Sequence, residues 1–218
     1  MKKIFCIVFC ILALNVEAQT GMLHSFTDLK QFTELASKSK WEVAKKRKGI
    51  TLKYRKLKFS DTLEVREMKA EFFVDGTLSK IYENLKNPKQ ILEWNVNMKE
   101  VKVLKSSDSV WVSHYVYKIP HPFSQQDLVA EYDAKMVDDN LIITSYAKPK
   151  YIPSLEDVKR EKFYLSKWEV IPMNSDQFMV EFSVVSISNS KIPRFIKDPI
   201  IQKKLINSFV NLQNLLKS

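Results

Sequence analysis

Apolar positions recur with two different periods along the chain, and the changes of period mark its elements. Phe26, Leu29, Phe32 and Leu35 follow helical spacing behind a cap at Ser25 or Thr27. From Ile50 the period falls to two. Ile50, Leu52 and Tyr54 alternate with polar neighbours, as do Leu63, Val65 and later Phe72, which predicts two half-buried antiparallel strands joined by a turn near Ser60-Asp61. A short helix is predicted from Thr77 to Lys86, stopped by Asn87-Pro88.

Strands then dominate. Over 101–118, Trp111, Ser113, Tyr115 and Tyr117 fall on one face while Val110, Val112, His114 and Val116 fall on the other, so both faces are largely apolar or aromatic. Leu128, Ala130, Tyr132, Ala134 and Met136 alternate with Asp127, Val129, Glu131, Asp133 and Lys135, which predicts one buried and one wet face. Further strands read at 141–147, 161–171 and 177–187, the last with Phe178, Val180, Phe182 and Val184 on one side. After Pro199 the period lengthens again. Ile201, Leu205, Phe209, Leu212 and Leu216 recur at spacings of three and four, an amphipathic helix of about 18 residues with Lys203, Lys204 and Asn211 on its outer side.

This order defines an α+β fold: an antiparallel sheet whose apolar face needs a cover, and a long terminal helix to supply it. There is no repeat or Pro/Gly/Ser-rich linker, so residues 19–218 read as one domain. The proline-bearing stretch from Ile119 to Gln126 predicts a projecting loop between two long strands. Pro120, Pro122 and Phe123 are its candidate gate residues, and the segment 193–199 reads as the hinge of the terminal helix.

The first residues have a different character. Lys2 and Lys3, an apolar run from Ile4 to Leu14, and Val16-Glu17-Ala18 have the form of a secretory signal peptide cut after Ala18. The run is too short to span a bilayer, which takes about 20 residues. Both cysteines, Cys6 and Cys10, fall inside it, so the expected mature chain has no thiol and a periplasmic or extracellular location. The formal net charge is +10, and loss of Lys2, Lys3 and Glu17 lowers it by one. Such a balance suits transient contact with an anionic membrane surface. Export argues against nucleic acid, and Lys45-Lys46-Arg47-Lys48 reads as a solvated strand end or turn before Gly49.

Catalytic constellations are missing. Gly21, Gly49 and Gly76 are far apart, so there is no phosphate-cradling loop. His24, His114 and His121 have no second His or Cys at metal-ligand spacing. No metal and no cofactor are expected. Asp127 alternates away from Leu128 and Tyr132, a parity that suits a structural tie rather than a general base.

Four stretches together resemble START domains. WEVAKKRKGITLKY from Trp41 resembles their opening strand, WNVNMKEVKVLK from Trp94 the segment after their second helix, and IPHPFSQQDLVAEY from Ile119 a loop and strand written around Pro, Pro and Arg-Asp. Trp168, Pro172, Ile192-Pro193 and the terminal helix continue the likeness in order, over residues 22–217. Gln126 departs from the usual Arg before Asp127, and Asn189-Ser190 replaces a glycine-containing turn. The resemblance implies a helix-grip fold, a curved antiparallel sheet wrapped around the C-terminal helix with an internal cavity, in a monomer. It implies a lipid or other hydrophobic small molecule as ligand, held for transport, sensing or storage. The wider superfamily includes cyclases, so a cyclase- or hydrolase-like cavity enzyme is the alternative. Sterol-binding animal members place a carboxylate and an Arg in the cavity; the matching positions here are Tyr115 and Tyr132, which excludes carrying over sterol specificity. Parity and resemblance together make Trp111, Tyr115, Tyr117, Leu128, Ala130 and Tyr132 candidate cavity residues. Phe178 and Phe182, and Ile201, Leu205 and Phe209 of the helix, complete the set.

Overall fold

A computed structural model describes residues 33–61, 64–120, 123–187 and 194–217, the last segment without the side chains of 194–197. The signal-peptide reading, His24, Phe26, Leu29, Phe32, Leu63, His121, Pro122 and the Asn189–Pro193 stretch lie outside the described residues. Of the predicted N-terminal helix, residues 33–35 are helical, and Leu35 is exposed.

Among the described residues eleven strands form one sheet. They begin with β1 (Ser37–Lys38), β2 (Glu42–Arg47), β3 (Ile50–Lys58) and β4 (Glu64–Asp75). After two helices come β5 (Met98–Ser106), β6 (Val110–Tyr117), β7 (Gln125–Val137) and β8 (Asn140–Ala147). The last are β9 (Val158–Arg160), β10 (Tyr164–Pro172) and β11 (Gln177–Ser186). The strand order is β1-β3-β4-β11-β10-β8-β7-β6-β5, with β2 added on β3 and β9 on β7. Among the described residues only the β7–β9 pairing is parallel. Bringing β11 between β4 and β10 closes the two halves of the chain into a continuous surface. The basic run caps the β2–β3 hairpin, where Lys48 and Gly49 both take positive φ, +52° and +75°. That is the backbone a two-residue hairpin turn requires, so this run is the end of β2 and the first residue of its turn.

Helix α1 (Leu78–Lys86) is capped by Thr77, whose hydroxyl accepts from the Lys80 N–H. Asn87 ends it and starts the next. Its N–H donates to the Glu83 carbonyl, and its side chain accepts from the Lys89 N–H to cap α2 (Pro88–Trp94), with Pro88 at the first position. A proline predicted as a stop is also a start, because the first helical position needs no N–H. Helix α3 (Arg194–Lys217) runs through Pro199 rather than beginning after it. Pro199 has no N–H to return to the carbonyl of residue 195, so the first turn is joined to the rest by one bond fewer.

Even positions of β3, β4, β7, β10 and β11 and odd positions of β6 and β8 face the helix. Against them α3 inserts Ile206, Phe209, Leu212 and Leu216, each buried, while Trp94 of α2 packs edge-on to Trp168 at 6.1 Å. Burying each such side chain contributes about 1.5–3 kcal/mol. Val65 and Phe72 differ in parity and point to opposite faces. Val65 joins Ala36, Leu57 and Val185 in a small second cluster, separate from the main core that holds Phe72. Much of that outer surface on β3, β4 and β11 is an ion-pair ladder, Lys53–Glu71 at 2.6 Å and Lys69–Glu181 at 2.7 Å.

Three further expectations need correction. The outer face of β7 is wet only towards its end, because Asp127 and Val129 are fully buried. Met136, assigned to the buried face, is 53% exposed near the strand's end. Lys204 and Asn211 are not free on an outer side: they donate to the carbonyls of Lys118 and Trp94, since α2 and the β6–β7 connection flank the helix.

Candidate functional site

The concave interior has two unlike halves. In the half beside α1 and α2, rings interlock: Phe209 stacks on Phe72 at 4.8 Å and meets Trp168 and Phe182 edge-on at 5.9 and 5.7 Å. Trp111 stacks on Tyr132 at 4.9 Å with planes 5° apart, and Tyr82 stands edge-on to it. Trp111, Tyr132, Phe182 and Phe209, all predicted as cavity residues, are therefore buried in aromatic packing here, and Phe178, also predicted, is buried in the same core. Leu128 and Ala130 are buried beside them.

The other half lies under the N-terminal part of α3 and is more exposed. Tyr117, Ala147, Tyr164, Val184 and Leu205 face inwards yet remain only half-buried. Between β3, β4, β11 and α3, residues Leu52, Met68, Lys69, Ala70, Phe182, Val184 and Leu205 border a narrow, partly open crevice with no room for a water molecule. Ile201 is half-buried on the same part of the helix. Pro120 and Phe123 lie on the exposed loop that follows β6, where the Phe123 N–H donates to the Pro120 carbonyl.

Sequence reasoning missed the hydroxyl groups of β8 and β10. Cross-strand register aligns Tyr132 with Ser145 and Ser145 with Ser166, and the two serine hydroxyls are hydrogen-bonded at 2.8 Å. Tyr164 stands two residues before Ser166 on the same face. The signal was available in the parity of Leu141, Ile143 and Ser145 and of Ser166, Trp168 and Val170. Burial pushes the phenols of Tyr115, Tyr117, Tyr132 and Tyr164 above their ordinary range, so all four are neutral hydrogen-bond donors at pH 7.

On the opposite face of the sheet, the fully buried Asp127 holds three groups at once. One carboxylate oxygen accepts from Arg160 Nε at 2.8 Å; the other lies 2.9 Å from Arg160 Nη2 and 2.8 Å from His114 Nε2. Burial alone would raise this carboxyl, but the bonds from Arg160 and His114 overcome it and hold the pKa below the usual value. Arg160 also donates to the carbonyls of Pro149, Ile152 and Pro153. Asp127 thus ties β6, β7, β9 and the 149–153 loop together, the structural role its parity suggested. Among the described residues no three His, Cys, Asp or Glu side chains converge on a metal site.

No protein-family model matches the chain, and no curated protein matches it. Solved structures do match. A STAR-related lipid transfer protein fragment from Xanthomonas axonopodis superposes with a TM-score of 0.73 at 18% identity, covering 83% of this chain and all of its own. Human StAR-related lipid transfer protein 5 gives 0.70 at 18% identity, over 95% of this chain and 97% of its own. Human STARD10 gives 0.67 at 15%, over 87% and 78%. The likeness at this identity is one of fold. The chain has a START-like helix-grip fold, a curved antiparallel sheet closed around its C-terminal helix.

Proposed function

We propose that the protein binds a lipid or another hydrophobic small molecule between the concave sheet and the N-terminal half of α3. The observation that carries this reading is the contrast between the interior's halves: one locked by aromatic rings, the other with inward-facing Tyr117, Ala147, Tyr164, Val184 and Leu205 left half-buried. The fold neighbours described as lipid transfer proteins support it. Transfer of a chain from water contributes about 0.8 kcal/mol per buried methylene.

We read the protein as a binder rather than a catalyst. The one buried His–Asp pair among the described residues lies on the face of the sheet away from α3 and is braced by Arg160. Residues 1–18 act as a cleaved signal in this reading, placing the mature monomer outside the cytoplasm. Its basic exterior, including the exposed Lys46, Arg47 and Lys48 of the β2–β3 hairpin, favours brief visits to anionic membranes.

Native mass spectrometry of the purified mature protein, with extraction of what it carries, tests the binding reading. A co-purifying lipid, or uptake of one by delipidated protein, is the expected result. Failure to take up any apolar molecule overturns it, and turnover of a bound lipid replaces it with the enzyme. Co-sedimentation with vesicles tests the membrane contact, which should favour anionic lipid and weaken with salt.

A further inference from the structure

We propose that Lys204 of α3 and Lys118 at the end of β6 form the head site of a lipid with an anionic head, a carboxylate or a phosphate, held at the rim of the half under α3. This rests on the lipid-binding reading and names the ligand class.

Backbone contacts fix the pair. Lys204 lies in the third turn of α3, and its Nζ donates to the Lys118 carbonyl at 3.0 Å, so the ammonium is held against the end of β6. The Lys118 N–H in turn donates to the Asn97 carbonyl. Lys204 is half-buried, whereas the Lys118 side chain is exposed.

Neither lysine has a counter-charge. Among the described residues no carboxylate forms an ion pair with either. Burial and the positive charge of Lys118 both push Lys204 below its ordinary pKa, and no carboxylate opposes them. A half-buried cation costs free energy unless an anion meets it, and here that anion has to arrive with the ligand.

The other charges of this half are already engaged. Arg66 on β4 has its Nη1 on Asp198 and keeps only a buried Nε without a partner. Asp198 and Lys204 are six residues apart, about 120° around the helix at 3.6 residues per turn, so the carboxylate serves the β4 side and leaves the β6 side to Lys204. Glu161 accepts from Ser186 and acts on the phenols of Tyr117 and Tyr164 rather than on Lys204.

Apolar surface for the tail starts at the same place. Ile201, one turn before Lys204, Leu205 beside it and Tyr117 next to Lys118 are all half-buried. A head on the two lysines stays at the solvent edge, where it keeps part of its water, while the chain runs inwards along these side chains.

Competition for Nile red bound to the delipidated mature protein tests this, with dodecanoate and dodecanol as competitors at about pH 8, where a carboxylic head is ionised. Lys204→Gln should raise the dodecanoate concentration required about tenfold, and Lys118→Gln about two- to fivefold. Neither should move that of dodecanol. Lys135→Gln removes the same charge near the far end of β7 and should move neither competitor. Lys204→Gln should not lower the melting temperature, because it removes a half-buried charge that has no partner; Lys118→Gln, on an exposed side chain, leaves the packing of α3 untouched. Unchanged dodecanoate affinity in both variants, or dodecanol weakened as much as dodecanoate, overturns the head site and leaves the binding reading standing. So does weaker co-sedimentation of both variants with phosphatidylcholine–phosphatidylglycerol vesicles at unchanged dodecanoate affinity, which would assign the pair to the membrane surface. Wild-type protein that takes up neither Nile red nor either competitor overturns both readings.

Discussion

Arg66 of β4 reaches across the concave mouth to Asp198 in the second turn of α3, joining two residues that lie far apart in sequence through an ion pair only about one-third exposed on each side. The same guanidinium lies 4.6 Å from the centre of the Tyr54 ring. Helix α3 is thus pinned beside Pro199, where its own hydrogen bonding is weakest. Partly exposed pairs contribute about 0.2–1 kcal/mol. Asp198→Asn should therefore release a bound fluorescent lipid about two- to fivefold faster with little loss of stability. Stopped-flow transfer to vesicles reads the rate, and unchanged release shows that this pair does not hold the helix down.

Asp127 should behave very differently. Removing its charge leaves Arg160 buried without a counter-charge, at a cost of about 3–5 kcal/mol. Asp127→Asn is expected to melt well below wild type and to be cleaved first in the 149–157 loop under limited proteolysis. Its folded pKa is depressed, so its stabilisation is complete above the unfolded carboxyl range near about pH 4 and is lost as pH falls through the lower folded value. Wild type should lose stability over that acid range more steeply than the variant, as circular dichroism against pH would show.

The four inward phenols carry the opposite sign. A raised tyrosine pKa means that the neutral form is favoured in the fold, so stability falls once pH exceeds the unfolded value of about 10. Tyr115, Tyr117, Tyr132 and Tyr164 should ionise together with unfolding. Ultraviolet titration in which they ionise while the far-ultraviolet spectrum remains native would contradict their burial.

Substitution can separate the two halves of the interior. Val184 is half-buried on the crevice and Ala130 is fully buried. Val184→Trp should reduce lipid uptake with the fold retained, whereas Ala130→Trp should cost about 1–3 kcal/mol through overpacking. Thermal melts beside dye-binding isotherms test both, and equal destabilisation would mean that the half under α3 is as tightly filled as the other.

The signal-peptide reading has its own measurement. Intact mass of exported protein should give a chain beginning at Gln19. Retention of Cys6 or Cys10, or a lipid on either, would defeat it.

Local pattern determined much of this protein. Strand parity grouped Trp111 with Tyr115, Leu128 with Tyr132, and Phe178 with Phe182, because side chains alternate along a strand whatever lies beside it, and the family resemblance supported the choice of the inward face. The spacing of Leu205, Phe209, Leu212 and Leu216 likewise marked the face of the helix that meets the sheet. Tertiary structure decided what the inward faces meet. The insertion of β11 between β4 and β10 depends on long-range pairing, and so did the interlocked rings of Phe72, Trp168, Phe182 and Phe209. The row from Tyr132 through Ser145 to Ser166 depends on the register of three separate strands, and a shift of one residue would turn each inward hydroxyl outwards. Asp127 was legible as a tie, but its partner Arg160 was not, since nothing local links positions 33 residues apart. Sequence periodicity reports which side a residue faces. Which neighbours occupy that side, and how much room they leave, is set only when distant strands pair.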